Sequence, residues 1–134
     1  MTAEENKAIL IHFIGELRKG NYGIIDEVCS PDFAFYSPNY HGWPRGLEGA
    51  RAIASLGRKI FRDAEGKIED IFGVGDRVAV RWSTRGIYQG EAKPGFPVPG
   101  EHCTMGAISI YRFVDGKIVE DWGVEAFSAA ASAW

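Results

Sequence analysis

The sequence is poor in cysteine: Cys29 and Cys103 are the only two in 134 residues, and they lie far apart. They form no CxxC pair, zinc spacing or disulfide framework, so two reduced thiols packed as small hydrophobes are expected. No run of Lys or Arg occurs and the net charge is −3, which excludes the electrostatic footprint of a nucleic-acid binder. No apolar stretch approaches the roughly 20 residues of a membrane span. Glu4 and Glu5 stand where a secretory signal would be basic, so a cytoplasmic protein is expected. A glycine-rich phosphate loop, a nucleophile elbow and a Ser/His/Asp spacing are all missing. His12, His41 and His102 are scattered without HxH or HxxxH spacing. No metal site is therefore expected, and no cofactor is called for.

What the chain does have is rings: four Trp, five Tyr and eight Phe, enough for a thick core or a ring-lined pocket. Its length fits a single domain over residues 1–134. Thr2 with Glu5 is a capping box. Leu10, Phe13, Ile14 and Leu17 follow at helical spacing, up to Arg18, Lys19 and Gly20. A second helix is expected over Tyr22 to Val28, a short strand over Phe33 to Tyr36, and a third helix over Leu47 to Phe61, closed by Gly66. The period then changes from 3.6 to 2. Strands are expected at Ile68 to Val74, Val78 to Tyr88, Cys103 to Phe113 and Lys117 to Glu125. Tight turns fall at Gly75-Asp76 and Asp115-Gly116, and a proline-containing loop at Gly90 to Gly100. Phe127 to Trp134 reads as a short helix or a disordered tail. Helices followed by antiparallel strands make an α+β layout. Long twisting strands curl round the helices into a cone with a cavity at one end.

Several segments resemble the SnoaL-like, polyketide cyclase-like branch of the NTF2-like superfamily. They are Ser30-Pro31-Asp32-Phe33, Gly46-Leu47-Glu48-Gly49, Gly75-Asp76-Arg77-Val78-Ala79-Val80-Arg81-Trp82, Ile108-Ser109-Ile110-Tyr111-Arg112-Phe113 and Asp115 through Trp122. The resemblance spans nearly the whole chain. It implies an NTF2-like cone, a curved antiparallel sheet wrapped around three N-terminal helices, and a homodimer. The family's cyclases carry His-Trp-Asp on the last strand; here the stretch is Asp121-Trp122-Gly123. Asp121 stands at the His position, Gly123 at the Asp position, and Ser109 where a second pocket His would be. Against the ketosteroid isomerases of this fold, Phe13, Ser37 and Ser109 replace the Tyr and both Asp residues, so steroid isomerisation is not expected. The fold's epoxide hydrolases need an Asp–Arg–Asp cluster; Arg81 and Asp121 are available without an evident second Asp.

Alternation puts Val119, Asp121, Gly123 and Glu125 on one face of the last strand. If that face is inward, Asp121 is a carboxylate among rings, its pKa is raised by desolvation, and it can take and return a proton near neutral pH. If outward, it meets water, Arg81 or Arg112. His41, in the loop Tyr40-His41-Gly42-Trp43, is the second catalytic candidate. Phe13, Trp43 and Phe61 from the helical side and Trp82, Met105 and Tyr111 from the strands are expected to line the pocket. Ser37, Tyr40, Ser109 and Gly123 complete it for a small apolar or aromatic ligand. Ile108, Ile110, Trp122 and Val124 fall on the other sheet face, which is expected to pair with a second copy. Two readings follow: cofactor-free acid/base chemistry on an apolar carbonyl compound, of the aldol-cyclisation or isomerisation type, or an inert ligand-binding or dimerisation domain.

Overall fold

The computed structural model describes residues 1–128 and contains three helices and one five-stranded sheet. α1 (Ala3–Arg18) starts at the reciprocal Thr2/Glu5 capping box and buries Leu10 and Phe13. α2 (Ile24–Val28) is a single short turn of helix that gives way to β1 (Cys29–Tyr36). α3 (Gly46–Ile60) packs on β1 and is followed without a break by β2 (Phe61–Val74). β3 (Arg77–Tyr88), β4 (His102–Val114) and β5 (Lys117–Ser128) complete the sheet. No helix among the described residues is long and apolar enough to cross a membrane.

The sheet order is β1-β5-β4-β3-β2, antiparallel except where β1 runs parallel to β5. Asp115 and Gly116 both adopt positive φ, 49° and 76°, the backbone a two-residue hairpin between right-twisted strands requires. The helices cover one sheet face. Leu10, Phe13, Ile25, Val78, Val80, Phe113 and Ile118 form the main core there, and Phe61, Tyr88, Cys103 and Met105 form a second cluster towards the other end.

The elements differ from the sequence reading in four places. α2 starts at Ile24 rather than Tyr22, and β1 begins at Cys29 rather than Phe33 because Pro31 and Asp32 are tolerated in an edge strand. Phe61 opens β2 instead of closing α3, and Gly66 lies inside that strand instead of ending the helix. Two facts explain this. Asp63 turns the strand with a φ of 53°, beside register breaks against β3. Gly66 carries the Arg18 guanidinium across it; a Cβ there would lie 2.6 Å from Nε. Finally, β5 runs on through Phe127 and Ser128, and the rest of the expected tail, 129–134, lies outside the described residues.

Both faces follow the alternation of the strands except at the register break between Arg112 and Phe113, which turns Ile118 inward instead of onto the face of Glu120 and Trp122 that counting by two gives it. Val78, Val80 and Trp82 pack inward with Ser109 and Tyr111. Ile108, Ile110, Trp122 and Val124 point outward and are each between 42% and 50% exposed. β1 makes its last pairing at Tyr36 with Trp122. Beyond that point β5 has no neighbouring strand on its outer edge among the described residues, and the chain leaves β1 as the loop of residues 37–45.

Candidate functional site

The inward face of β5 reads Asp121, Gly123, Glu125, Phe127. Tyr111 is the cross-strand partner of Asp121 and Ser109 that of Gly123. Asp121 is only 5% exposed, and its Oδ1 has no hydrogen-bond partner. Neither arginine considered from the sequence answers it: Arg112 bonds Glu120 at 2.9 Å on the opposite face, and Arg81 faces the same way as Arg112. Burial, and secondarily the Glu125 charge, push the Asp121 carboxyl up to about 7. Its charge is felt nearby. Burial and Asp121 raise the Tyr111 phenol well above its ordinary range, and the Cys29 thiol is pushed up to about 12, first by burial and then by Asp121.

Gly123 makes the space. A Cβ at that position would sit 3.1 Å from Ser109 Oγ, 3.6 Å from Asp121 Oδ1 and 3.8 Å from Phe35 Cε1. The absent side chain therefore leaves the serine hydroxyl and the unpartnered carboxylate oxygen facing the same volume. Trp82 Nε1 donates to Ser109 Oγ at 3.4 Å.

A cleft of about 690 Å³ reaches Gly123 from outside. One wall is the loop of residues 37–45. The other is the end of β1 with Gly123 and the outer-face Ile110, Trp122 and Val124. The loop is held by rings. Phe35, Tyr40 and Trp43 meet with centroids 5.1 to 6.0 Å apart, and Trp43 Nε1 donates to the Gly49 carbonyl at 3.0 Å. Gly49 allows that approach, since a Cβ there would lie 1.9 Å from the Pro44 oxygen. Asp121 and Ser109 do not form the cleft wall; they lie directly behind Gly123.

The structure brings Asp121, Ser109, Gly123, Trp82 and Tyr111 together, with Tyr40 and Trp43 across the cleft. Ser37 lines the same cleft, and His41 lines it as an exposed side chain. Six expected pocket residues do not line the cleft. Phe13 is buried in the main core, Trp82 and Tyr111 pack against that core, Ser109 is buried beside Gly123, and Phe61 and Met105 belong to the second cluster beneath Phe127. Phe35 and Glu125 were not singled out in the sequence. Glu125 could have been found by the same period-2 count that selects Asp121. Phe35 needed the start of β1, which the prolines obscure. Among the described residues, no three His, Cys, Asp or Glu side chains converge as metal ligands would.

A family model of SnoaL-like polyketide cyclases matches residues 8–132. No curated protein matches the chain. Among solved structures, AclR from Streptomyces galilaeus, provisionally assigned as a hydroxylase, is 27% identical at a TM-score of 0.73, over 93% of this chain and 81% of its own. IdmH from Streptomyces antibioticus, provisionally assigned as a polyketide cyclase, is 25% identical at 0.72, over 90% and 91%. A SnoaL-like polyketide cyclase from Agrobacterium tumefaciens shares the fold at 18% identity and a TM-score of 0.76, over 93% and 92%.

The raised carboxyl has a stability signature. The folded state holds the Asp121 proton to about pH 7, whereas an unfolded aspartate releases it near 3.8. This group therefore weakens the fold progressively as pH rises through that window, by at most about 4 kcal/mol, and adds no further change above it. Asp121→Asn removes the effect. Urea denaturation at a series of pH values should show the variant gaining on the wild type between pH 4 and 7; a constant difference would contradict the assignment.

Proposed function

We propose that this chain, which belongs to the SnoaL-like polyketide cyclase family, is a cofactor-free acid/base catalyst acting on a small apolar carbonyl compound, with Asp121 as the proton carrier. The observation that carries this reading is the buried, unpartnered Oδ1 of Asp121 facing the space left by Gly123. A carboxyl held near pH 7 is half ionised at neutral pH, where a general base and its conjugate acid are both present.

In the proposed step the Asp121 carboxylate takes a proton from the carbon next to the substrate carbonyl. The C–H electron pair becomes the C=C bond and the carbonyl π pair moves onto oxygen. Ser109, oriented by Trp82, gives that oxygen a hydrogen bond, which stabilises charge that is absent from the ground state. In a substrate with a second carbonyl, the enolate carbon attacks it and closes a ring. The protonated Asp121 then returns its proton to the new alkoxide, so the aldol closure balances without an external reagent. The outer-wall rings, Trp43 and Trp122, offer flat apolar surface to such a molecule. The buried free thiols Cys29 and Cys103 accord with a cytoplasmic setting.

The second reading, an inert ligand-binding or dimerisation module, draws on one observation: Asp121 and Ser109 lie behind Gly123 rather than on the cleft wall. Deuterium uptake from D2O at the α-carbon of 2-tetralone separates the two. Catalysed exchange should fall at least about a hundredfold in Asp121→Asn. It should fall similarly in Gly123→Ala, whose methyl occupies the shared space at a position with ordinary φ, so that the fold is kept. No exchange above buffer with the wild type supports the inert reading.

A homodimer through the outer sheet face is part of the same proposal. Strand register aligns Phe72, Ala79, Ile110, Trp122 and Tyr36 in one row across all five strands. Trp122 and Tyr36 stack at 4.1 Å. A self-complementary apolar row suits a two-fold contact with a second copy. Sedimentation velocity should give a dimer mass for the wild type and a monomer mass for Ile110→Glu; a wild-type monomer at high micromolar concentration would refute it.

A further inference from the structure

The cleft carries a charge that the acid/base step does not use. Asp and Glu number 18 against 15 Lys and Arg in the chain, yet among the described residues no acid lines the 690 Å³ cleft. The permanently charged side chain in its lining is Arg45, at the end of the loop of residues 37–45. His41, on the same loop, adds a second positive charge when protonated.

Arg45 is poorly placed to serve the fold. It stands at the N-cap of α3, with φ −88° and ψ 163°, and gives the helix no side-chain cap. Such a position favours Ser, Thr, Asp or Asn, and the positive end of the helix dipole opposes a cation there. The guanidinium forms no ion pair among the described residues; neither Asp32, next to Pro31, nor Glu48, in the first turn of α3, pairs with it. The arginines that hydrogen-bond through their side chains among the described residues are Arg51, Arg77 and Arg112.

The backbone that carries Arg45 is nevertheless held on both sides. Before it, Trp43 Nε1 donates to the Gly49 carbonyl at 3.0 Å. After it, Gly46 has a φ of 78° and passes so close to β1 that a Cβ would lie 3.0 Å from the Pro31 oxygen. The cleft therefore combines flat apolar surface, from Trp43 and Trp122, with one unanswered guanidinium on a fixed stretch of chain. A guanidinium is a planar fork that can meet both oxygens of a carboxylate. A single permanent charge matches a monoanion better than a phosphate dianion.

We propose that Arg45 is a specificity-determining residue that binds the carboxylate of a ligand whose apolar body lies in the cleft. The proposal deepens the catalytic reading, on which it rests for the use of the cleft: the apolar carbonyl compound is a keto acid rather than a neutral ketone.

Calorimetry with 2-naphthoate, methyl 2-naphthoate and 2-naphthyl phosphate tests this. The wild type should bind 2-naphthoate about tenfold more tightly than the methyl ester, between the effect of an exposed ion pair and that of a charged hydrogen bond. It should bind the phosphate no more tightly than the carboxylate. Arg45 is exposed, so the preference for the acid should shrink at high salt. In Arg45→Gln the ratio of acid to ester should fall to within about twofold with ester affinity kept, whereas a merely structural Arg45 would weaken both alike. Equal binding of acid and ester by the wild type, no binding of 2-naphthoate, tighter binding of the phosphate, or an unchanged ratio in Arg45→Gln would each overturn the proposal. Binding is read without turnover, so the two readings fail separately. A wild type that exchanges the α-proton of 2-tetralone but shows no preference for the acid refutes the carboxylate site alone. One that prefers the acid and exchanges nothing keeps that site and refutes the catalytic reading.

Discussion

A carboxylate sealed from water without a counter-charge is the constraint around which the rest of this structure is arranged. Removing such a charge from water costs several kcal/mol unless the group takes up a proton or finds partners. The protein has an obvious means of relieving the cost, since Arg112 sits one residue from Tyr111, the cross-strand partner of Asp121. The pleat sends that guanidinium to the other face, where it meets Glu120. Alternation thus satisfies Glu120 and leaves Asp121 among Tyr111, Cys29 and Phe35, none of which carries a positive charge to balance it. In such surroundings the carboxyl holds its proton up to about pH 7.

The same period governs access. Gly123 is the only inward position on β5 between the two carboxylates, and its missing side chain leaves room against Ser109 Oγ and Asp121 Oδ1. The cleft opens where β1 stops, because the parallel pairing ends at Tyr36 and the chain swings out as a ring-clamped loop. Strand length therefore sets the position of the cleft, and Gly49 sets how closely the loop returns to α3. The apolar outer face and the cleft wall share Ile108, Ile110, Trp122 and Val124.

Much of this was legible in the chain. The capping box, the hairpin glycines and the change of period define the elements, because each is a local signal with a local cause. The inward placement of Asp121, Ser109, Trp82 and Tyr111 follows from counting by two along strands with known turns. What stayed hidden is non-local. Phe61 and Gly66 read as a helix end, and only the Arg18 side chain lying across the strand explains a glycine at position 66. Phe13 and Met105 look like pocket residues because apolar side chains on inward faces are indistinguishable in sequence from core. Their neighbours, Leu10 and Val28 for one and Tyr88 and Phe127 for the other, decide the matter. The cleft itself could not be foreseen, since its shape depends on where β1 stops pairing and on three rings from a loop without periodicity.

Fold alone does not choose a reaction, and structures similar to this one carry provisional assignments as both hydroxylase and cyclase. The claim that distinguishes this chain is the state of one side chain, and it can be read directly. A carbon-detected NMR titration of the Asp121 carboxyl in the wild-type protein should show a single transition near pH 7. A transition near 4, the value of an ordinary aspartate in water, would mean that the group is solvated or paired, and the account built on it would fall.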